Sequence, residues 1–328
     1  MSDIKLFRLA AGQATELQSS ASDLEKPMQT LIEANLMPLL SIQFLASEHS
    51  TGKTHGGRID SLGLDENNCP VVLEYKRSVG ENVINPGLFY LDWLMDHKAE
   101  FKLLVLDKLG AAAADAIDWS APRVVCIAAD FTKYDGHAVQ QIGRNIELIR
   151  YRRFGDDLLL LESANAGGDA SAKATPSKQA KAAAAKPELS AAALPDSAGP
   201  KATGPDKSYA ELLAALSEPM LQLLTSLEDY TLSLGDDVQR KELRLYAAFK
   251  RLKNFATVVL HKKNCLLLYL HVDPATALAA LPKTRDVTHI GHWGTGNLEV
   301  TLNTLADLDA VKPFINAAYE GRAVAAGQ

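Results

Sequence analysis

The stretch from Gly56 to Lys76 constrains this chain most, because it predicts a β-hairpin with charged side chains gathered at one end. Its first arm, Arg58 to Leu64, alternates with the two-residue period of a strand. The second arm, Pro70 to Lys76, is an apolar run that begins with a proline and ends in charge. The polar connection between them has the composition of a turn.

The register of this hairpin determines which charged residues meet. A loop over residues 66–68 brings Asp60 opposite Glu74, and directly paired residues lie about 4.5–5.5 Å apart at Cβ. Lys76 shares the face of Glu74, since side chains two positions apart on a strand point the same way. Two carboxylates this close repel unless one is protonated or a cation lies between them, and hard oxygen ligands select Mg²⁺ or Mn²⁺. A metal site is therefore indicated, while a half-buried hairpin with solvated charged ends remains the alternative.

Asp60, followed by Glu74-Tyr75-Lys76 at the end of an apolar strand, resembles the Asp…Glu-x-Lys signature of the PD-(D/E)XK nuclease superfamily, and NucS-type endonuclease domains in particular. The resemblance implies a metal-dependent endonuclease that hydrolyses DNA phosphodiester bonds, in DNA repair or in restriction of foreign DNA. It implies Asp60, Glu74 and Lys76 as catalytic residues. It also implies that Mg²⁺ or Mn²⁺ is held by Asp60, Glu74 and the backbone carbonyl of Tyr75, while Lys76 orients or activates the attacking water.

Two helices flank this signature. In the resembling nucleases the first helix often brings a carboxylate to the metal, and Glu33 or Glu25 could do this, although capping or solvent exposure is the favoured explanation of either residue. The helix after the Glu-x-Lys strand often carries Gln-x-x-x-Tyr in that superfamily. Here Tyr90 fits the Tyr position, and Pro86 stands where Gln is expected. Asn85 as N-cap, with Pro86 as the first helical residue, predicts where this helix begins.

The order of elements predicts the fold class. Over residues 20–163 the pattern reads helix, strand, hairpin, helix, strand, helix and two further strands, which favours an α/β fold with helices packed on a mixed sheet. This agrees with the restriction-endonuclease-like αβββαβ core that the resemblance implies. A helix over residues 208–227, followed by strands and further helices, predicts a small α+β unit. That unit resembles an uncharacterised C-terminal domain found appended to nuclease-like domains, which implies no activity.

The chain length of 328 residues is enough for two domains. We expect a nuclease-like domain over 1–164, a flexible linker over 165–207 and a C-terminal domain over 208–328 that binds nucleic acid or a partner. The linker is rich in Ala, Lys, Pro, Ser and Gly and cannot bury enough apolar surface to offset its ordering entropy. The two domains could therefore move independently.

Charge does not by itself identify a nucleic-acid binder. Lys plus Arg against Asp plus Glu count 16 against 23 over residues 1–164 and 12 against 13 over 208–328. DNA contact must therefore come from local patches. The richest patch, residues 240–263, has eight Lys or Arg and one acid, interleaved with aromatics that could stack on bases or serve as core. The residues predicted to contact DNA are Arg58, Arg77, Tyr90, Arg150, Arg152, Arg240, Lys241, Arg244, Lys250, Arg251 and Lys253.

Other features of the sequence argue against several classes of protein. No apolar run approaches the roughly 20 residues of a membrane span, and the first residues lack the apolar core of a signal peptide, so we expect a cytoplasmic protein without a membrane partner. Cys69, Cys126 and Cys265 have no paired spacing, which predicts neither a disulfide nor structural zinc. A homodimer stays open, because cutting both DNA strands requires two sites. A non-catalytic nucleic-acid-binding or protein-interaction module on the same scaffold is the alternative function.

Overall fold

The structure is a computed structural model that describes residues 4–20, 25–76, 83–164, 207–261 and 265–321. Arg77 and residues 165–206 of the predicted linker lie outside the described residues. The described chain forms a two-stranded hairpin and a seven-stranded sheet before residue 165, and a six-stranded sheet after residue 206. We call these the N-terminal part and the C-terminal part. None of the described helices is long and apolar enough to cross a bilayer.

The N-terminal part consists of β1 (Leu6–Ala10), β2 (Gln13–Leu17), β3 (Ser19–Ser20), α1 (Glu25–Ala34), α2 (Leu36–Leu40), β4 (Ile42–Ser50), α3 (Gly52–His55), β5 (Arg58–Asp65), β6 (Pro70–Lys76), α4 (Ile84–Asp96), α5 (Lys98–Leu109), α6 (Ala111–Asp115), β7 (Arg123–Ala128), α7 (Lys133–Gln141), β8 (Ile146–Phe154) and β9 (Leu158–Ser163). The C-terminal part consists of α8 (Tyr209–Ala214), α9 (Glu218–Leu232), β10 (Gln239–Glu242), β11 (Ala247–Lys250), β12 (Asn254–His261), β13 (Cys265–Leu270), α10 (Pro274–Ala280), β14 (Thr284–Asp286), β15 (Leu298–Leu302) and α11 (Leu305–Glu320).

The seven-stranded sheet is mixed and covered by helices on both faces, as an α/β fold requires. Its strand order is β3-β8-β7-β6-β5-β4, with β9 added on β8. β4, β5 and β6 pair antiparallel, whereas β6, β7 and β8 pair parallel. Helices α1 and α2 pack with Leu73 and Tyr75 on one face, and α4 and α5 pack with Val72 on the other. The predicted α/β class is thus confirmed.

The central hairpin has the predicted bounds and register. Leu64 pairs with Pro70, and the ladder continues to Ser61 and Leu73. The turn is closed by the Asp65 carboxylate, whose Oδ1 accepts hydrogen bonds from the backbone N–H groups of Asn67 and Cys69 at 2.9 Å each. A side chain that satisfies two turn amides holds the connection in one conformation.

Several predicted element boundaries are wrong. Helix α4 begins at Ile84 with Val83 as N-cap, so Pro86 occupies the third helical position, where an amide has no intrahelical partner to lose. The single helix predicted over 208–227 is two helices, since Pro219 in the first turn of α9 has no N–H to continue α8.

The six-stranded sheet is antiparallel and uses its two faces differently. Helices α8, α9 and α11 cover one face, where Phe249 is buried. On the other face Tyr246 and Ala248 pack with Cys69 from the turn of the central hairpin. The Asn67 side chain accepts hydrogen bonds from the Tyr246 hydroxyl at 2.9 Å and from the Asn254 amide at 2.8 Å. The C-terminal part therefore packs against the hairpin turn and forms hydrogen bonds with it.

A buried ionic cluster joins the two parts beside this turn. The Glu147 carboxylate lies 2.7 Å from Arg123, 2.6 Å from Lys241 and 2.9 Å from Lys250. Arg123 also pairs with Asp65 at 3.1 Å. Burial alone would raise the pKa of Glu147, but its three cations hold that pKa well below the usual range. Independent movement of the two parts stays a prediction, and this cluster opposes it, because separating the parts would strip buried charges of their partners.

We expect Glu147→Gln to destabilise the full chain by about 3–5 kcal/mol, because it leaves three buried cations short of a counter-charge. Equilibrium denaturant unfolding measures the free energy. Glu228→Gln is the matched control, since the Glu228–Arg240 pair, at 2.8 Å, is partly exposed and should contribute at most about 1 kcal/mol. Equal losses in the two variants would contradict a structural role for the cluster.

Candidate active site

Asp60 and Glu74 meet where the β5–β6 ladder ends. Beyond the Ser61–Leu73 pair, each carboxylate bonds to a backbone amide of the facing strand. Asp60 Oδ2 accepts a hydrogen bond from Tyr75 N at 3.0 Å, and Glu74 Oε1 accepts one from Asp60 N at 3.4 Å. The two side chains are thus placed by strand backbone, which is more rigid than a loop.

Helix α4 covers this end of β6. A Cβ placed on Gly87 would lie 2.5 Å from Val124 Cγ1 and 3.7 Å from Glu74 Cγ, so only glycine allows the helix to approach this closely. Glu74 is consequently 3% exposed, whereas Asp60 is half-buried. The site is open on the side of Asp60 and closed on the side of α4.

Burial and like charge raise the pKa values of both carboxyls. Burial is the main cause for Glu74, the nearby Asp60 adds to it, and together they raise its pKa to about 8. Burial also raises the pKa of Asp60, against the lowering effect of its hydrogen bond from Tyr75. A strongly perturbed pair at an open edge is typical of a functional site.

Lys76 provides the positive charge next to this pair. Burial by itself lowers the pKa of Lys76, but the charges of Glu25, Asp60 and Glu74 outweigh it and raise the pKa above its usual value. The ammonium group lies 3.4 Å from Glu25 Oε1 at the start of α1. Lys76 is therefore protonated at neutral pH and held between two elements.

Glu33 does not join the two carboxylates. Its Oε1 accepts hydrogen bonds from Ser61 Oγ at 2.6 Å and from Gln29 Nε2 at 2.9 Å. Ser61 also contacts the Tyr75 hydroxyl and, one position along the strand from Asp60, faces the opposite side of the sheet. The prediction of Glu33 as a metal ligand is therefore not supported by the geometry.

Gln29 is a positioning residue that the sequence did not reveal. Its side-chain amide donates to the backbone carbonyl of Asp60 at 2.9 Å and to Ser47 at 3.3 Å, in addition to Glu33. It is buried on the face of α1 that packs on the sheet. A polar residue within an apolar helical stripe was the available signal, but it does not name its distant partners.

An open groove of about 690 Å³ runs past Asp60. Its lining residues are Ser50, Gly52, Lys53, Gly56, Gly57, Arg58, Asp60 and Tyr90. The Tyr90 hydroxyl accepts a hydrogen bond from Arg58 N at 3.3 Å. A Cβ on Gly57 would lie 2.6 Å from the Tyr90 ring, so glycine is required there. The exposed Arg58 guanidinium lies 2.5 Å from Glu48.

The other basic residues predicted to contact DNA are mostly engaged within the protein. Lys250 is 2% exposed and, like Lys241, pairs with Glu147, so the predicted role of these two lysines in DNA binding is wrong for this arrangement. Arg150 lies 2.6 Å from Asp130 and 2.8 Å from Glu162. Neighbouring carboxylates thus neutralise a cation that the sequence indicated as available.

The remaining predicted cations lie nearer the surface. Arg240 pairs with Glu228, Arg251 lies 2.5 Å from Asp237, and the Lys253 ammonium donates to the Pro38 carbonyl at 2.8 Å. Arg152 is half-buried and Arg244 is exposed, while Arg77 lies outside the described residues. In the described parts of the chain, no three His, Cys, Asp or Glu side chains lie close enough together to hold one metal ion.

Comparisons with known proteins cover the two parts unequally. Residues 210–321 match a family described as "Domain of unknown function (DUF5655)". An uncharacterized protein of Haemophilus influenzae is 28% identical over 324 residues, which span 97% of this chain and 100% of the relative. Two solved structures, an EndoMS–dsDNA complex and a repair endonuclease from Pyrococcus abyssi, are 19% and 16% identical, each with a TM-score of 0.22. The match covers 40% of this chain and 47% and 49% of theirs, and at that TM-score it carries no argument about function.

We expect the metal-free protein to lose stability as the pH rises from 5 to 8.5. The folded-state pKa of Glu74, about 8, exceeds the unfolded value, so the folded state holds a proton that the unfolded state has lost, and raising the pH favours unfolding. The loss should be on the order of 3 kcal/mol. Denaturant unfolding in EDTA across this pH range measures it.

Glu74→Gln should remove most of this pH dependence, because glutamine does not titrate. Glu48→Gln is the control, since the Lys26 hydrogen bond lowers the pKa of Glu48, and the stability it contributes is lost only on acidification below its unfolded pKa. Identical pH slopes for wild type and Glu74→Gln would contradict the raised pKa.

Proposed function

We propose that this protein is a metal-dependent endonuclease of the PD-(D/E)XK superfamily that hydrolyses phosphodiester bonds in DNA. The observation that carries the proposal is the placement of Asp60 and Glu74, by backbone hydrogen bonds, at the open end of the central hairpin beside Lys76. These are the residues of the Asp…Glu-x-Lys signature, and here they lie together in space.

The donor set fits Mg²⁺ or Mn²⁺. Two carboxylates whose pKa values are raised by burial and mutual repulsion would be stabilised by a divalent cation, and hard oxygen donors suit these metals. Asp60 and Glu74 would hold the ion, with the Tyr75 backbone carbonyl as a further donor. Mg²⁺ usually keeps several waters and binds substrate phosphate, so two protein carboxylates are sufficient.

Bound metal would supply Lewis acidity to the scissile phosphate. The chain's own residues supply the rest of the chemistry. Lys76, kept protonated by the surrounding carboxylates, orients the attacking water and offsets the negative charge that develops on phosphorus. Glu25 holds the Lys76 side chain, and Gln29 fixes the backbone of Asp60. Water oxygen bonds to phosphorus and releases one proton to solvent, the phosphorus–oxygen ester bond breaks, and the departing oxygen takes up one proton from solvent.

The groove past Asp60 is the proposed path of the DNA backbone. Lys53 and Arg58 line it, so phosphates could bind on the side from which Asp60 is reached. Arg152, Arg240, Arg244, Arg251 and Lys253 remain proposed outer contacts, and Arg77 adjoins the site in sequence. A cytoplasmic role in DNA repair or restriction, with a homodimer for cutting both strands, belongs to the same proposal.

We expect purified protein with Mg²⁺ or Mn²⁺ to cut single-stranded, duplex or branched DNA. Glu74→Ala and Lys76→Ala should each lower the rate at least about 100-fold, because they remove electrostatic stabilisation of the transition state. Lys108→Ala, which removes an exposed lysine on α5, should cut like wild type. Gel assays of labelled DNA measure the rates, and circular dichroism checks folding.

If the wild-type protein cuts none of these substrates with either metal, a binding module on this scaffold replaces the proposal. DNA cutting that persists in Glu74→Ala would instead show that the nuclease active site lies elsewhere in the protein.

A further inference from the structure

Strand β9 is an outer strand of the seven-stranded sheet, and its outward edge has unused backbone groups. Among the described residues β9 pairs only with β8. Just past the end of β9, the Ala164 N–H donates to Leu148 O at 2.8 Å, which shows which positions bond toward β8. Because such positions alternate along an antiparallel ladder, the N–H and C=O groups of Leu161 and Ser163 point away from β8. No described residue hydrogen-bonds to these outward groups.

A cavity of about 730 Å³ between the N-terminal and C-terminal parts runs along this edge, and we call it the β9 cleft. Four consecutive residues of β9, Leu160 to Ser163, line it. Side chains alternate between the two faces of a sheet, so consecutive residues are reached from the edge of a strand and not from one face. The opposite wall is formed by the β11–β12 connection, by His271 and by the end of α11. The β9 cleft shares no lining residue with the groove past Asp60.

The sequence of β9 lacks the features that usually protect an edge strand from further pairing. It reads Leu-Leu-Leu-Leu-Glu-Ser, without proline or lysine, and its register on β8 is regular. Strand β4, at the other edge of the same sheet, has an irregular register between Phe44 and Ala46, and such a bulge discourages pairing. An unprotected edge that borders a cleft is suited to accepting one more strand.

The charges that line the β9 cleft indicate which strand fits it. Two of the lining carboxylates, Asp237 and Glu162, are paired with arginines at 2.5 and 2.8 Å. The third, Glu320, lies at the exposed end of α11. Within the described chain, the exposed Lys253 ammonium bonds to a backbone carbonyl, and neither it nor the exposed His271 has a carboxylate partner. The wall opposite β9 therefore offers a positive charge to a ligand.

We infer that an extended acidic segment of a partner protein binds in the β9 cleft and adds to β9 as a further strand. Its backbone pairs with the outward groups of Leu161 and Ser163, and its acidic side chains face Lys253. Apolar side chains between them pack on Leu252 and Phe255, which also line the cleft. A nucleic-acid backbone fits this edge less well, because phosphates only accept hydrogen bonds and would leave the strand carbonyls unpaired. The site is independent of the proposed endonuclease activity.

Binding of model peptides to the full-length protein tests this inference. Fluorescence anisotropy would be recorded with a labelled peptide of three Glu-Val repeats, with the same peptide N-methylated at every residue, and with a peptide of three Lys-Val repeats. The Glu-Val peptide should bind at least about 10-fold more tightly than either of the others, because N-methylation removes the backbone donors and lysine reverses the charge. Lys253→Glu should reverse the preference between the Glu-Val and Lys-Val peptides.

Leu161→Pro should weaken binding of the Glu-Val peptide at least about 10-fold, because it removes an N–H that points into the β9 cleft and leaves the β8 ladder intact. Leu159→Pro is the matched control. By the same alternation the Leu159 N–H points away from β8, and this residue also packs on the sheet core, but it does not line the cleft. Circular dichroism checks that each variant is folded.

The inference is overturned if the Glu-Val peptide shows no saturable binding up to about 1 mM, if its N-methylated form binds equally well, or if the two proline variants behave alike. Glu74→Ala should bind the peptide like wild type. A wild-type protein that cuts no DNA but binds the Glu-Val peptide in this way refutes the proposed endonuclease and leaves the peptide site intact.

Discussion

The hydrogen-bonded ladder between β5 and β6 holds the charged groups of this protein in their positions. Pairing from Leu64–Pro70 to Ser61–Leu73 sets one register, and the next position along each strand carries Asp60 and Glu74. Because side chains alternate across a strand, a slip of one residue would send one carboxylate to the opposite face of the sheet. The Asp65 carboxylate prevents that slip by bonding to two amides of the turn.

The two ends of this hairpin differ in how their buried carboxylates are paired with cations. At the turn, the two carboxylates of Asp65 and Glu147 pair with three cations, and these pairs join the two parts of the chain. At the open end, the carboxyl groups of Asp60 and Glu74 have the Lys76 ammonium group as their nearby positive charge. This ammonium group also pairs with Glu25. Separating buried partners of opposite charge is costly, whereas an excess of carboxylates at an open edge is typical of a functional site.

The pairing at the turn also gives a role to part of the basic patch over residues 240–263 in the C-terminal part. Lys241 and Lys250 pair with Glu147 of the neighbouring sheet, so these two lysines serve the junction between the two parts. Pro70 and Lys76 lie at opposite ends of β6, about 20 Å apart at a rise of about 3.3 Å per residue. The C-terminal part thus supports the hairpin from the end remote from the carboxylates and leaves their groove open.

Short-range rules were enough to predict the hairpin, its register and the meeting of Asp60 with Glu74, because strand alternation and turn chemistry act between neighbours in sequence. The same rules placed β8 and β9 and the mixed sheet. They missed the start of α4, which lies two residues before Pro86, and the break before α9, where Pro219 follows the first helical residue. The sequence could not predict whether Lys250, Arg150 and Glu33 would be solvated or paired within the protein. A charge is solvated or paired according to residues far away in the chain, as with Lys250 and Glu147, which are 103 positions apart. Local sequence therefore determined which carboxylates meet, and only the tertiary structure decided which cations are left to meet a ligand, because burial and pairing depend on how distant segments pack.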